Sequence, residues 1–130
     1  MPDVITLTPD NAPAPIGPYS HIAIAGSLIT IGGVAALDPG TGQIVGRDVA
    51  AQTRQVLKNL AGLLESVQSD LGHVVHVNVF LLRMSDFEEM NRAYAECFGG
   101  HRPARTVIGV HELPKAGALV TMNLTAVLRS

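Results

Sequence analysis

The chain has 130 residues and a mass of 13.7 kDa, which is enough for one domain and too short for two ordinary ones. Hydrophobic residues make up 47% of the chain and charged residues only 15%, a composition that excludes intrinsic disorder. The net charge of −2 and the scattered arginines argue against a general nucleic-acid binder. So few charges cannot cover the surface of a small monomer, which predicts that part of the surface is buried in an oligomer.

Targeting and redox features indicate a cytoplasmic protein. The sequence has no apolar run of about 18 residues, the length that a membrane span requires. Its first residues, Met1-Pro2-Asp3, lack the basic start and the apolar stretch of a signal peptide. Cys97 is the only cysteine, so an internal disulfide is impossible.

The first third of the chain predicts a loop followed by a hairpin. Three prolines within residues 11–19 forbid a helix and favour an extended loop. Residues 21–25 and 28–33 read as two strands, joined by a turn at residues 26–27. The loop is either a plain surface connector or a segment that delivers a side chain to a site.

The spacing of apolar residues predicts two helices. Asp48 is placed as the N-cap of the first helix, whose apolar stripe repeats at helical spacing as far as Val67. A capping box over residues 85–88 begins the second helix, and Gly99 and Gly100 end it. Cys97 near the end of this helix is interpreted as a packing residue, because no base for a cysteine nucleophile is identifiable nearby.

Three further strands are predicted over residues 74–82, 104–110 and 118–128. The resulting order, ββ-α-β-α-ββ, indicates one α+β domain over residues 1–130, a sandwich with two helices on one face of a mixed sheet. The second face of the sheet is expected to be semi-polar and almost uncharged, with these members: Thr121, Asn123, Thr125, Arg105, His76 and Asn78. Such a face suits a subunit interface that contains a ligand site.

Arg105 is the strongest candidate for chemistry. Motifs for phosphate loops, zinc proteases and serine hydrolases are missing. His73 and His76 are three apart in or near a strand and point to opposite faces, so no metal is expected. Inside a strand an arginine is costly unless it meets an anion, and its planar guanidinium fits a carboxylate with two hydrogen bonds. The carboxylate belongs either to a ligand or to an internal Asp or Glu.

Five short motifs occur in a fixed order: IGPY (16–19), DVAAQ (48–52), NRAY (91–94), RPAR (102–105) and LPK (113–115). With these motifs the chain resembles the RidA (YjgF) family of reactive-intermediate deaminases over residues 11–129. The resemblance implies a chorismate-mutase-like fold and a homotrimer with three sites in the clefts between subunits. Some family members have been called ribonucleases, an activity that the missing basic patch does not favour.

The resemblance also implies a reaction, the hydrolysis of 2-imino acids or their enamine tautomers to 2-keto acids and ammonia, without a cofactor. It assigns Arg105 to the carboxylate of a small substrate, and it places Tyr19 and Asn91 in the pocket. Backbone groups of Gly32 and Val107 are expected beside the substrate.

Three positions depart from the deaminating members. Ile31 stands where they have a serine, Val107 where they commonly have a cysteine, and Asn123 where a glutamate positions or activates the attacking water. Asparagine can orient a water but cannot take its proton. We expect Arg105, Tyr19 and Asn123 to be the catalytic residues, with Asn123 on the same sheet face as Arg105 and a pocket made more apolar by Ile31 and Val107.

Three functions therefore remain open. The first is a deaminase whose activity is weakened or altered. The second is a trimer that binds a small carboxylate without turnover, and the third is an enzyme of another reaction that reuses the pocket between subunits.

Overall fold

The computed structural model describes residues 3–130, and the strands and helices of this range form one α+β sandwich. The elements are β1 (Val4–Leu7), β2 (Ile22–Ala25), β3 (Leu28–Ala35), α1 (Val49–Glu65), β4 (Val74–Leu81), α2 (Phe87–Phe98), β5 (Ala104–Gly109) and β6 (Val120–Val127). Short 3₁₀ turns, Leu71–His73 and Met84–Asp86, precede β4 and α2. The expectation about a signal peptide rests mainly on Met1 and Pro2, which lie outside the described residues.

The strands form one mixed sheet in the order β1-β2-β3-β6-β4-β5. All neighbours are antiparallel except β4 and β5, which are parallel and are connected through α2, as a parallel pair requires. Both helices lie on one face of the sheet, with α1 packed against β3, β6 and α2. The predicted α+β sandwich is therefore confirmed, and β5 is left as an edge strand.

The core is built from the two periodicities that the sequence shows. Alternate residues of β6 are buried on the helix face: Val120, Met122, Leu124 and Ala126. The helical stripe that starts at Val49 and ends at Val67 covers them and is buried. The apolar stripe of α1 thus packs on the apolar face of β6 in one core, as the helical and alternating patterns of the sequence predict.

Two of the four predicted helix ends are confirmed. The Asp48 carboxylate accepts a hydrogen bond from the Ala51 backbone N–H at 2.8 Å and so caps α1. Gly99 ends α2 with a φ of 65°, a conformation that favours glycine. The predicted capping box is wrong: Ser85 lies inside a 3₁₀ turn, so it cannot act as the N-cap, and α2 begins at Phe87. Helix α1 ends at Glu65, two residues before Val67, the last member of its predicted stripe.

Two details of the strands differ from the predictions. Strand β1 is missing from the predicted elements, because four residues give too short an alternation to recognise. Simple alternation along the predicted strand 74–82 would bury Val75 together with Val77, and the structure does not show this. The register of β4 against β6 is irregular between Val74 and His76, so Val74 is buried and Val75 is exposed.

The face of the sheet opposite the helices is polar but uncharged in its central part. Across β4 and β6 on this face, His76 pairs with Thr125, Asn78 with Asn123, and Phe80 with Thr121. Within residues 3–130, no helix has the length and hydropathy that a membrane crossing requires.

Candidate functional site

Arg105 lies on the helix face of the sheet, under α2. It is in register with Val77 of β4, whose partner on the other side is the buried Leu124 of β6. Asn123 pairs instead with Asn78, on the opposite face. The prediction that Arg105 and Asn123 share a face is therefore wrong, and so is the place of Arg105 among the residues of the open face.

The partners of the Arg105 guanidinium are aromatic rings. Its central carbon, Cζ, lies 4.8 Å from the ring centroid of Tyr94 and 5.8 Å from that of Phe87, both on α2. None of the ion pairs formed within residues 3–130 involves Arg105. The alternative of an internal carboxylate partner is therefore not observed, and a half-buried guanidinium remains available to an anion.

Asn91 lies on the same side of α2 as these two rings, four residues after Phe87 and three before Tyr94. Its Oδ1 atom and the Tyr94 hydroxyl are both buried, and neither has a hydrogen-bond partner within the described chain. Burial raises the pKa of the Tyr94 phenol above its ordinary value, while the charges of Arg105 and Arg102 oppose this shift. We call Arg105, Phe87, Asn91 and Tyr94 the arginine cluster.

A cavity of about 540 Å³ lies beside an irregularity in β3. The register of β3 against β6 shifts between Ile31 and Val34, so that Gly32 and Gly33 stand outside the ladder. These glycines line the cavity, and the rest of its wall comes from the proline-rich loop, from α1 and from residues 114–121. Its polar or charged members are Tyr19, Ser20, His21, Asn59, Lys115 and Thr121.

The proline-rich loop delivers Tyr19 to this cavity. The Tyr19 side chain is 44% exposed, and its hydroxyl accepts a hydrogen bond from the Ile16 backbone N–H at 3.3 Å. The buried His21 holds the start of the loop, because its Nε2 atom is hydrogen-bonded to the Pro13 carbonyl. The rings of Tyr19 and His21 meet edge to face at 5.9 Å. Of the two interpretations of the loop, the structure supports the one in which it places a side chain at a site.

Of the predicted site residues, Tyr19 and Gly32 line the cavity, whereas Ile31 and Asn123 do not reach it. The Ile31 side chain is 1% exposed and packs in the core, so the prediction that it lines the pocket is wrong. Asn123 is absent from the cavity wall, and its Oδ1 accepts a hydrogen bond from Asn78 at 2.8 Å. Thr121, two residues earlier on the same face, lines the cavity instead.

Strand alternation could have indicated Thr121, because it places residues 121 and 123 on one face. The choice between them depends on which one faces the irregular part of β3, and the sequence does not show that register. Val107 is half-buried on the face of Arg105, as the predicted parity requires.

Cysteine and metal chemistry find no support in the described residues. Cys97 is half-buried against the core, and burial raises the pKa of its thiol, which disfavours the thiolate nucleophile. Across residues 3–130, no three His, Cys, Asp or Glu side chains are grouped so that they could hold a metal ion.

The cavity and the arginine cluster are separate within one chain. Gly32 belongs to β3 and Arg105 to β5, and the strands β6 and β4 lie between them. Three steps between neighbouring strands amount to about 14 Å. One chain therefore does not bring Arg105 and the Tyr19 cavity to the same small ligand.

Comparisons with known proteins identify a family. The family model described as Endoribonuclease L-PSP matches residues 9–128. A RutC family protein of Pyrococcus horikoshii is 48% identical over 106 residues, which cover 82% of this chain and 84% of that protein. The mouse 2-iminobutanoate/2-iminopropanoate deaminase is 39% identical over 117 residues, covering 90% of this chain and 86% of that protein.

A solved structure gives the same result. The YjgF gene product of E. coli matches with a TM-score of 0.87 at 33% identity, covering 96% of this chain and 99% of that chain. The order of elements, the five motifs and these similarities agree. The chain belongs to the Endoribonuclease L-PSP family, which is the RidA/YjgF family.

Proposed function

We propose that this protein hydrolyses reactive 2-imino acids, or their enamine tautomers, to 2-keto acids and ammonia. The observation that carries the proposal is the Arg105 guanidinium, which is half-buried, has no carboxylate partner in residues 3–130 and is held by aromatic rings. The similarity to a mouse protein named as an imine deaminase supports the class of reaction.

Arg105 is proposed to bind the substrate carboxylate. A guanidinium offers a fixed fork of N–H donors that matches the two oxygens of a carboxylate. Its position on the edge strand β5 leaves one side of this strand without a neighbour within the chain. A substrate carboxylate can therefore reach Arg105 from outside the sheet.

The complete site is proposed to form between copies of the chain in a homotrimer. Arg105 of one copy would complete the Tyr19 cavity of a neighbour, because the two lie about 14 Å apart within one sheet. The uncharged face around Asn78 and Asn123 supports an interface, since charged residues are depleted in interface cores. Head-to-tail contacts of this kind close into a ring.

The proposed mechanism relies on orientation rather than on a strong base. Water adds to the imine carbon, the nitrogen takes up protons, and the resulting carbinolamine releases ammonia to leave the 2-keto acid. We assign the orientation of the water to the Thr121 hydroxyl and to backbone groups at Gly32, and the closing of the pocket to Tyr19. Fixing an already electrophilic imine beside an ordered water can supply much of the acceleration.

A second candidate is a trimer that binds a small carboxylate without turnover. The observation that favours it is the chemistry of the cavity wall, which within residues 3–130 holds neither Asp nor Glu. A carboxylate base for the attacking water is therefore missing from this wall, and the turnover of simple imino acids should be slow.

The test is an assay in which an amino-acid oxidase generates 2-iminopropanoate and 2-iminobutanoate in the presence of this protein. We expect faster formation of the keto acid with the wild-type chain and loss of this effect in Arg105→Ala. Arg54→Ala is the matched control, because it removes an arginine that pairs with Glu96 at the surface. Binding of pyruvate without any acceleration would favour the second candidate, and the absence of both would contradict the site.

A further inference from the structure

The aromatic contacts of Arg105 are unequal. Tyr94 is the nearer ring, at 4.8 Å from Cζ, and only 6% of this residue is exposed. Phe98 packs on the Tyr94 ring at 4.7 Å between centroids and holds it in place. Phe87 is farther from the guanidinium, at 5.8 Å, and is only half-buried. Tyr94 is thus the fixed surface against which Arg105 rests.

An aromatic ring can hold the Arg105 guanidinium without occupying its hydrogen-bond donors, whereas a carboxylate cannot. The electron-rich face of the ring attracts the cation without forming hydrogen bonds to its N–H groups. An internal Asp or Glu would occupy two of those donors and would compete with a ligand. Arginine side chains lose considerable rotamer freedom when they are fixed, and a guanidinium that is already held spares the ligand that cost.

We propose that Tyr94 is a positioning residue of the carboxylate site, an inference that rests on the proposed function. Its ring fixes the plane of the Arg105 guanidinium and leaves the donors at the edge of that plane free. A substrate carboxylate then binds edge-on, in the plane that Tyr94 sets, and the imine carbon follows that orientation. Tyr94 acts through Arg105 and does not touch the reacting atoms.

The ring and the hydroxyl of Tyr94 have different roles in this proposal. The hydroxyl is buried without a hydrogen-bond partner in the described residues, so it contributes nothing to holding Arg105. The phenol is neutral at physiological pH, and burial, which raises its pKa, disfavours the phenolate that would itself pair with Arg105. Replacement by Phe should therefore preserve the site, whereas replacement by Leu should damage it.

The experiment compares the dissociation constants of pyruvate and of its neutral amide, pyruvamide, for full-length variants. We expect Tyr94→Leu to weaken pyruvate binding about 3- to 10-fold, in the range of a partly desolvated cation–π contact. Binding of pyruvamide should be unchanged, and Tyr94→Phe should restore pyruvate binding to within about 2-fold of wild type. Met90→Ala is the control, since it removes a fully buried side chain of α2 that makes no cation–π contact with Arg105.

Each result has one interpretation. If Tyr94→Leu binds pyruvate as the wild type does while Arg105→Ala does not, the positioning role is wrong and the carboxylate site stands. An equal loss for pyruvate and pyruvamide, or the same loss in Met90→Ala, would show a purely structural role and overturn the inference. Unchanged binding in Arg105→Ala would overturn both proposals.

A spectroscopic measurement covers the case in which Tyr94→Leu fails to fold. The chain has two tyrosines and no tryptophan, so Tyr19→Phe leaves Tyr94 as the only tyrosine. Saturation with pyruvate should then change the near-ultraviolet circular dichroism of Tyr94, and an equal concentration of pyruvamide should not. A spectrum that is unchanged at saturation would contradict the inference.

Discussion

At the scale of single residues, Gln52 connects the cavity to the helix that supports it. Its side chain is 2% exposed and makes three hydrogen bonds, to the carbonyls of Gly46 and Gly117 at 3.2 and 3.0 Å and from the N–H of Leu119 at 2.8 Å. The DVAAQ motif thus has two structural roles: Asp48 caps helix α1, and the buried Gln52 side chain hydrogen-bonds to two loops. The hydrogen bonds of Gln52 hold the segment that places Lys115 and Thr121 in the cavity wall.

We expect Gln52→Ala to lower the free energy of unfolding by roughly 2–4 kcal/mol, because it removes a buried side chain and leaves three backbone groups without their side-chain partner. Urea denaturation monitored by circular dichroism measures this loss. Gln55→Ala is the control on the same helix, since the half-buried Gln55 bonds mainly to the Asn59 side chain. Equal stability losses in the two variants would contradict this role of the Gln52 hydrogen bonds.

A second residue-scale prediction concerns the ionisation of Tyr94. Burial raises the pKa of its phenol, and the positive charges of Arg105 and Arg102 partly offset this effect. In a Tyr19→Phe background, the ultraviolet absorbance of phenolate should therefore report a transition above the ordinary value of 10. Adding Arg105→Met should raise the pKa further, because it removes a charge that favours the phenolate. A fall in the pKa would show that Arg105 is not near this ring.

At the scale of elements, the short turn before β4 is tied to the end of the chain. The Asp70 carboxylate accepts hydrogen bonds from His73 Nδ1 at 2.7 Å and from Arg129 at 3.2 Å. These contacts hold the pKa of Asp70 below its ordinary value, and the bond from His73 is the largest cause. The folded state therefore favours the ionised carboxylate.

The lowered pKa of Asp70 determines how its contribution to stability changes with pH. The contribution of Asp70 is fully present above the pKa of the unfolded chain, near 4, and is lost as the pH falls through the lower pKa of the folded chain. Asp70→Asn should thus destabilise the protein slightly at pH 7, and the difference from wild type should disappear in acid. Thermal unfolding at a series of pH values measures it, and a difference that grows in acid would contradict the assignment.

Elements were predictable where a pattern extends over many residues. The stripe of α1 and the alternation of β6 each contain enough apolar positions to fix the type and the buried face of the element. Local details were not predictable for a physical reason. The capping box at Ser85 competes with a 3₁₀ turn, and the displacement of Val75 comes from pairing with a distant strand.

At the scale of the whole molecule, the pairing register of each strand decides which face its side chains occupy and therefore which residues can form a site together. Alternation shows that Arg105 and Val107 share a face, and that Thr121 and Asn123 share a face. Alternation alone does not show whether these two pairs of residues lie on the same face, because that depends on how β5 and β6 each pair with β4. The sequence left open whether Arg105 pairs with an internal carboxylate, which the structure does not show within residues 3–130, and the predicted side of the sheet was wrong.

The separation of Arg105 from the cavity makes a prediction about the assembly. We expect a mass near three times 13.7 kDa by sedimentation, because in the proposed homotrimer a second copy completes each site. Two variants that are inactive for opposite reasons test the shared site directly. Arg105→Ala lacks the carboxylate partner, and Gly32→Trp fills the cavity; a side chain at Gly32 meets no neighbouring atom within 4 Å of its Cβ, so folding should be preserved.

Co-refolding the two variants in equal amounts should restore activity. A site is intact when the neighbour that supplies Arg105 is a Gly32→Trp chain and the neighbour that supplies the cavity is an Arg105→Ala chain. Each condition holds for half of the random contacts, so about one quarter of the sites recover in a closed ring. Pyruvate binding by the mixture, compared with each variant refolded alone, measures the recovery. A trimer without recovery would show that the site lies within one chain, and a mass near that of one chain would contradict the shared site altogether.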